Sequence, residues 1–450
     1  MLYDRGVLAG TNLSWPISWP DVAADVAGVE AGRLRPGEVA ALQRIRKRVA
    51  FEQVSGAVGL EAGLALGTEL SELRSFAYTP RESVEAYAAA SWLGERFAWK
   101  LSATVVDEAP DNQTVRPDGS YFGVALGNWM LSAGYLDRWW GPGWDGSLLL
   151  SSNARPVPAV SIERADSRPI DVPVIRWLGP WRFITFMGQL EGDRDYDHPL
   201  LFGMRIEVRP VPSLQIAASR TAQWCGEDRP CDLETFWDLI IGNDNDQDLD
   251  EQPGNQLAGF DVRWSWPGGR VPLALYAQGI GEDEAGFLPS KYLGLFGLEA
   301  WGEAGSGTWR AHVEYADTAC DFLASEPEFG CAYTSSIYTD GYRYRGRALG
   351  HTMDADGQSL SFGGLYVTAA GSQWRLLLRD FELNRAGVAQ GHSLAAVPTD
   401  VLDASVSFQR TFRWGTISAE LGYADVSPVL DGATVEDGLR GFVAWKQGWR

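Results

Sequence analysis

A period of two constrains this chain more than any other feature. Val58, Leu60, Ala62, Leu64 and Leu66 alternate with Gly59, Glu61, Gly63 and Ala65, and Phe97, Trp99, Leu101, Ala103 and Val105 alternate with Ala98, Lys100, Ser102 and Thr104. The pattern returns as Phe260, Val262, Trp264 and Trp266 against Asp261, Arg263 and Ser265, and as Ile417, Ala419, Leu421 and Tyr423 against Thr416, Ser418, Glu420 and Gly422. Such alternation places each set on one face of a β-strand. Two architectures use it. In a soluble sandwich the apolar face packs inward against a second sheet; in a membrane barrel it meets lipid and the charged face lines a wet lumen.

The connections separate the two. Gly94-Glu95, Pro210-Val211-Pro212, Pro267-Gly268-Gly269, Gly305-Ser306-Gly307, Gly371-Ser372 and Trp414-Gly415 read as tight turns. Between them lie longer polar segments at 108–118, 225–256, 281–290, 319–357, 384–401 and 427–437. Short turns at one end and long loops at the other belong to a transmembrane barrel, and a sandwich has no reason to keep them. The reading is therefore all-β, a transmembrane antiparallel β-barrel. About 20 strand candidates can be counted, and the weakest are 147–153 and 158–165. Pro156 and Pro158 remove ladder donors, so this pair is expected as an irregular excursion, folded toward the lumen, rather than wall.

No run reaches the roughly 18 apolar residues that a spanning helix needs, so any crossing is by strands. Hydrophobic residues make up 45% of the chain, with 51 Gly and 20 Trp, which suits many short strands joined by turns. The net charge of −21 sets nucleic acid aside as a partner, because phosphate binding needs a basic surface.

Residues 1–53 follow a different period. Pro20 opens a short segment carrying Val22, Val26 and Val29; Pro36 sits where a first helical turn tolerates a missing N–H, and Val39, Leu42, Ile45 and Val49 recur at helical spacing. The chain thus divides into an N-terminal helical segment, 1–53, and a barrel, 54–450. Four cysteines allow three connectivities; each close pair brackets a polar, turn-like segment, so the expected bridges are Cys225 with Cys231 and Cys320 with Cys331, in an oxidising compartment. Zinc fits poorly, for want of short Cys gaps and nearby histidines.

The sequence holds no nucleophile elbow, P-loop or dinucleotide fingerprint, and the four histidines are scattered. Carboxylate pairs cannot be judged from sequence among 59 acidic residues, and a non-enzymatic role is expected. The sharpest charged cluster runs from Gly242 to Glu251. Its Asp244, Asp246, Asp248 and Asp250 are candidate Ca²⁺ ligands, although Leu249 stands where an EF-hand turn needs Gly and no flanking helix is evident; the plainer reading is a solvated acidic loop. Trp139, Trp140 and Trp144 could stack on sugar rings or belong to an interfacial girdle, and Tyr333, Tyr338, Tyr342 and Tyr344 pose the same question; girdle or loop packing is preferred for both groups.

The tryptophan turn, Gly134 to Val160, resembles the signature of the Wzi family, outer-membrane β-barrel proteins that help assemble capsule on Gram-negative bacteria. The likeness continues through Trp177-Leu178-Gly179-Pro180, through Pro253-Gly254-Asn255-Gln256-Leu257-Ala258-Gly259-Phe260-Asp261, and through the opening Leu2-Tyr3-Asp4-Arg5-Gly6 and Trp15-Pro16…Trp19-Pro20. It implies about 18 strands, a small helical bundle at the periplasmic end, and a location in the Gram-negative outer membrane, with lipid and lipopolysaccharide around a monomer. The start of the chain lacks the order of a secretory signal, which for an exported family implies a signal removed or not included here. The implied function is non-enzymatic binding of cell-surface polysaccharide in its assembly or attachment, with Ca²⁺ a candidate bridge between two acidic partners. The alternative is a porin or channel for small solutes; helices at the periplasmic mouth count against it.

Overall fold

The period-two stretches hydrogen-bond edge to edge until the sheet meets itself. In the computed structural model, which describes residues 1–241, 254–268, 271–285, 288–389, 391–430 and 434–450, the first wall strand, Val58–Thr68, pairs antiparallel with both Val84–Leu93 and the last strand, Gly438–Trp449. The closed wall has 18 strands, counting Val115–Arg116 and Tyr121–Leu126, which both pair with Phe97–Val106, as one interrupted strand.

The burial pattern is inverted relative to a soluble protein. Val262, Trp264, Leu275, Leu298, Phe362, Leu376 and Leu421 are exposed on the outside, while Arg205, Asp261, Arg263, Glu299, Glu314 and Arg379 are buried inside. Water would expel the first set and solvate the second, so the outer surface is built for hydrocarbon. Closure also leaves no unpaired edge for lipid to strand. Aromatic residues gather beside the short turns, as Trp264–Trp266 at 4.4 Å, Trp374–Phe408 at 4.6 Å and Phe412–Trp414 at 5.0 Å between centroids. Among the described residues no helix is long and apolar enough to cross a membrane; the strands cross it. Val262 lies near the middle of Gly254–Trp266 on the lipid face. Val262→Arg should cost the folded barrel about 2–4 kcal/mol in lipid, whereas at a water-exposed site the change would stay within about 0.5 kcal/mol; urea titration in vesicles reads the difference.

Three sequence expectations need correction. Residues 158–165 are not an excursion: Ala159–Arg164 is wall, paired with Trp129–Gly134 and Trp181–Gln189, because Pro158 falls just before the strand, where its missing N–H removes no ladder bond. Residues 147–153 do lie in the lumen, with Leu148, Leu149 and Leu150 buried. The expected loop at 281–290 is largely strand, since Leu273–Ala285 and Leu288–Ala304 pair through it as far as Ala285–Leu288. Finally, the asymmetry of connections has an exception: 165–180, at the short-turn end, is long and leaves Val174 and Trp177 exposed.

Two helices occupy the short-turn mouth. Helix α1, Trp19–Ala27, starts at Ser18, whose side chain caps the Asp21 N–H; α2, Pro36–Glu52, starts at Arg35, whose N–H donates to Glu38 at 2.9 Å. Val22, Val26, Leu42 and Val49 form their shared core together with Leu2 and Leu8. They are tied to the barrel rim where Gly37 N–H donates to Glu303 at 2.6 Å and Arg450 donates to the carbonyls of Phe51 and Glu52. The first fifteen residues bridge the helices and the barrel: Leu2 and Leu8 pack on α1 and α2, and Ala9 N–H donates to Asp25 at 2.7 Å, while the same stretch also reaches into the wall. Arg209 donates to the carbonyls of Leu8 and Gly10, Arg263 pairs with Asp4 at 2.9 Å, and Ser14–Trp15 forms a two-residue ladder with Trp139–Trp140 inside the lumen.

Candidate functional site

The lumen is filled by the tryptophan turn and by the long loops that come down to meet it. After Trp139–Trp140 the chain reverses through Gly141-Pro142-Gly143, and the wall fixes the turn with inward side chains. The Glu314 carboxyl group accepts from the N–H groups of Trp144, Asp145 and Gly146 at 2.8, 3.0 and 2.8 Å and from the Tyr276 hydroxyl at 2.8 Å. Gln278 donates to the Trp140 carbonyl at 2.8 Å and accepts from Leu148 N–H at 2.7 Å. Trp144 Nε1 donates to Glu299 at 2.8 Å, and Glu299 is in turn paired with Arg263 at 3.0 Å and with Arg310. On another side Asp145 meets Arg379, which also pairs with Asp403 at 3.0 Å. Buried backbone donors inside a barrel need partners, and here a wall carboxylate serves the stretch Trp144 to Gly146, whose N–H groups enter no ladder.

From the long-loop end, the 318–357 connection folds down onto this turn. Tyr333 hydroxyl donates to the Leu148 carbonyl at 2.6 Å, and Gly146 lies so close to His351 that an added Cβ would come within 1.9 Å of the ring. Burial, with Arg379 nearby, pushes the His351 imidazole down to about 3, so it sits there neutral. Against the burial that would raise it, Arg343 holds the Asp354 carboxyl at about 2 through paired contacts of 2.8 and 2.9 Å, and Asp354 also accepts from Ser393 N–H at 2.7 Å. The long loops are thus braced against one another as well as against the wall.

Trp139 and Trp140 are 5% and 1% exposed, and Trp140 packs on Phe186 at 5.5 Å inside the barrel. The pair thus lies in packing inside the lumen, as the preferred reading of girdle or loop packing allowed, and away from the lipid-facing girdle. Trp144 is partly buried, stacked on His312 at 6.0 Å beneath Arg310. Tyr333, Tyr338, Tyr342 and Tyr344 are buried in loop packing, the preferred reading for that group. The bridges are Cys225–Cys231 and Cys320–Cys331 as expected, and the two long loops touch, with the Tyr338 hydroxyl donating to the Cys225 carbonyl at 2.9 Å. Asp244, Asp246, Asp248 and Asp250 lie outside the described residues. A helix does flank that acidic run, however: α3, Leu233–Ile241, which the sequence reading did not expect. Among the described residues no group of three or more His, Cys, Asp or Glu is arranged to hold a metal ion. The lumenal partners Glu314, Gln278, Glu299, Arg263 and Arg379 were not picked out from sequence. Their one sequence signal is polarity on the inward parity of the strands.

An 18-stranded barrel with an apolar exterior, helices at its short-turn mouth and a lumen filled by its own loops defines an outer-membrane barrel of the plugged kind. The capsule assembly protein Wzi family model matches residues 65–434, and the chain belongs to that family. The Escherichia coli Wzi structure, described as an outer-membrane protein involved in group 1 capsule assembly and a carbohydrate-binding β-barrel, is 25% identical, with a TM-score of 0.87 covering 99% of this chain and 96% of that one. A Klebsiella pneumoniae protein described as an uncharacterized 55.8 kDa protein in the cps region is 31% identical over 320 residues, 70% of this chain and 62% of that relative's length.

Proposed function

We propose that the protein sits in the outer membrane with its long loops outward and binds surface polysaccharide there, non-enzymatically, helping to assemble or hold it at the cell. The observation that carries this reading is the filled lumen. Trp140, Leu148, Tyr333 and Tyr342 are buried in one cluster that joins the turn to the outer loops, so a polymer arriving from outside meets loop surface rather than a pore. Membership of a capsule assembly family and the carbohydrate binding named for the Escherichia coli relative support the same partner class. The solute-channel alternative is disfavoured by the same packing. Asp244, Asp246, Asp248 and Asp250 are carried forward, on sequence alone, as candidate ligands for a Ca²⁺ ion bridging two acidic partners.

Purified protein in detergent, titrated calorimetrically with surface polysaccharide from its own bacterium, should bind it and return it uncut. If Ca²⁺ bridges, chelator and the fourfold Asp→Ala variant should each weaken binding about tenfold or more, equivalent to about 1.4 kcal/mol. Undiminished binding in both would remove the Ca²⁺ assignment. Absence of binding to any surface glycan would remove the function, and release of shortened oligosaccharides would make the protein an enzyme.

A further inference from the structure

Strand parity shows which side of the wall α3 lies on. Along Leu200–Val211, Arg205 and Arg209 reach Leu13 and Leu8 in the lumen, so Phe202, Met204 and Ile206 face the membrane. By the same alternation Arg220, Ala222 and Trp224 face outward on the next strand, since Thr221 and Gln223 contact Tyr342 and Gly341 inside. Gly254 and Gln256 face outward beyond them, in step with exposed Phe260 and Val262. Met204 and Ile206 are exposed, yet Phe202 and Trp224 on that face are buried. What covers them is α3. Phe236 lies 5.3 Å from Phe202 and 4.9 Å from Trp224, and Leu239 is fully buried over Gly254, where an added Cβ would come 2.9 Å from Leu239 Cδ1. The helix therefore rides on the outside of the barrel, at the end that carries the long loops.

Both of its termini are closed by protein. Asp232 accepts from the N–H groups of Glu234 and Thr235 at 2.9 Å each. At the other end Arg220, projecting from the lipid face of the wall, donates to the carbonyls of Leu239 at 2.7 Å and Ile240 at 3.0 Å. A surface helix in water can leave its last carbonyls to solvent; one in a bilayer has no such donor and needs this one. The side facing away from the wall carries Leu233 and Trp237, four residues apart and 84% and 62% exposed, with the acidic pair Glu234 and Asp238 one position round the helix.

We propose that α3 is an outer-leaflet anchor, lying at the boundary of acyl chains and headgroups with Leu233 and Trp237 among the chains and Glu234 and Asp238 toward the headgroups. The exposed side chains continue the apolar surface of Met204, Ile206 and Val262, which is itself lipid-facing. A second protein copy is a poor occupant: these two side chains fall well short of the roughly 800 Å² per partner that a stable interface takes. A Trp at the edge of the hydrocarbon is the usual arrangement for a segment lying in the membrane plane.

The test is nitroxide labelling of the full chain at Leu233→Cys, Glu234→Cys and Trp237→Cys, in vesicles of phosphatidylethanolamine and lipopolysaccharide, with Leu421→Cys on the wall as lipid reference. Labels at 233 and 237 should be more accessible to oxygen than to a nickel chelate, as at 421, and the label at 234 should show the reverse. Chelate accessibility at 233 and 237 equal to that at 234 would overturn the proposal, as would dipolar broadening that disappears on dilution with unlabelled protein, which would give this face to a second copy. If a labelled chain fails to assemble, hydroxyl-radical footprinting of the unaltered protein in the same vesicles decides: Trp237 protected as well as Trp264 supports the anchor, and oxidation of Trp237 alone overturns it.

Discussion

Glu314→Ala should open a barrel that is otherwise electrically silent. One carboxyl group accepts three successive backbone N–H groups and a tyrosine hydroxyl, and all four donors lose their partner together. At about 1–3 kcal/mol for each buried donor left unsatisfied, part of it recovered by entering water, the seating of the tryptophan turn should weaken by roughly 4 kcal/mol. The wall itself keeps its ladders. In planar bilayers the unaltered protein should therefore conduct little, while Glu314→Ala should show frequent ion-conducting openings at an unchanged far-ultraviolet spectrum. Glu314→Gln, which keeps one acceptor oxygen, should lie between them. A silent Glu314→Ala barrel would mean that the turn is held by packing, and large steady currents from the unaltered chain would restore the porin reading.

Arg205→Met should be the most damaging single change to stability. Arg205 is wholly buried, paired with Glu207 at 2.8 Å and with Asp261, and donates to Ser219 and to the Leu13 carbonyl. Its removal leaves two buried carboxylates without their cation, for which about 3–5 kcal/mol is the expected cost. Adding Glu207→Gln and Asp261→Asn should restore most of the loss, because a neutral network no longer carries the uncompensated charge. Urea unfolding in micelles, followed by the mobility difference between heated and unheated samples, measures all three proteins. A loss within about 0.5 kcal/mol for Arg205→Met would show that water reaches the site and that the pair is not buried in effect.

The charge network and the tryptophan turn explain why the fold was more legible than its contents. Parity along Gly259 to Trp266 was enough to say that Asp261 and Arg263 share one face and that Val262 and Trp264 share the other. It could not say that Asp261 meets Arg205 while Arg263 meets Asp4 and Glu299. Those partners are chosen between strands that flank a common neighbour in the wall, or from the N-terminal segment that enters the lumen, where sequence distance carries no information. Trp139 and Trp140 could not be placed between girdle and packing for a related reason. Two adjacent tryptophans suit a membrane interface or a core equally well, and only the return of Leu148–Leu150 and the approach of Phe186 from the wall build the core around Trp140. Helix α3 was missed because it is only nine residues long and lies inside the polar segment 225–256; its broad apolar side divides between the wall and the face turned away from it.

The sequence by itself determined what depends on neighbours along the chain: the alternation that sorts side chains between lipid and lumen, the tight turns that set one end of the barrel, the prolines and apolar spacing that start and pair α1 and α2, and the local pairing of the cysteines. Only the tertiary structure decided that the first fifteen residues enter the barrel, that Glu314 seats the tryptophan turn, that the 318–357 loop closes over it, and that α3 lies outside the wall. The division has one physical cause. Backbone periodicity and turn chemistry are local, and a strand reveals them wherever it lies, whereas desolvated hydrogen bonds and ion pairs exist only once closure of the barrel has removed water and brought distant strands within about 3 Å of their partners.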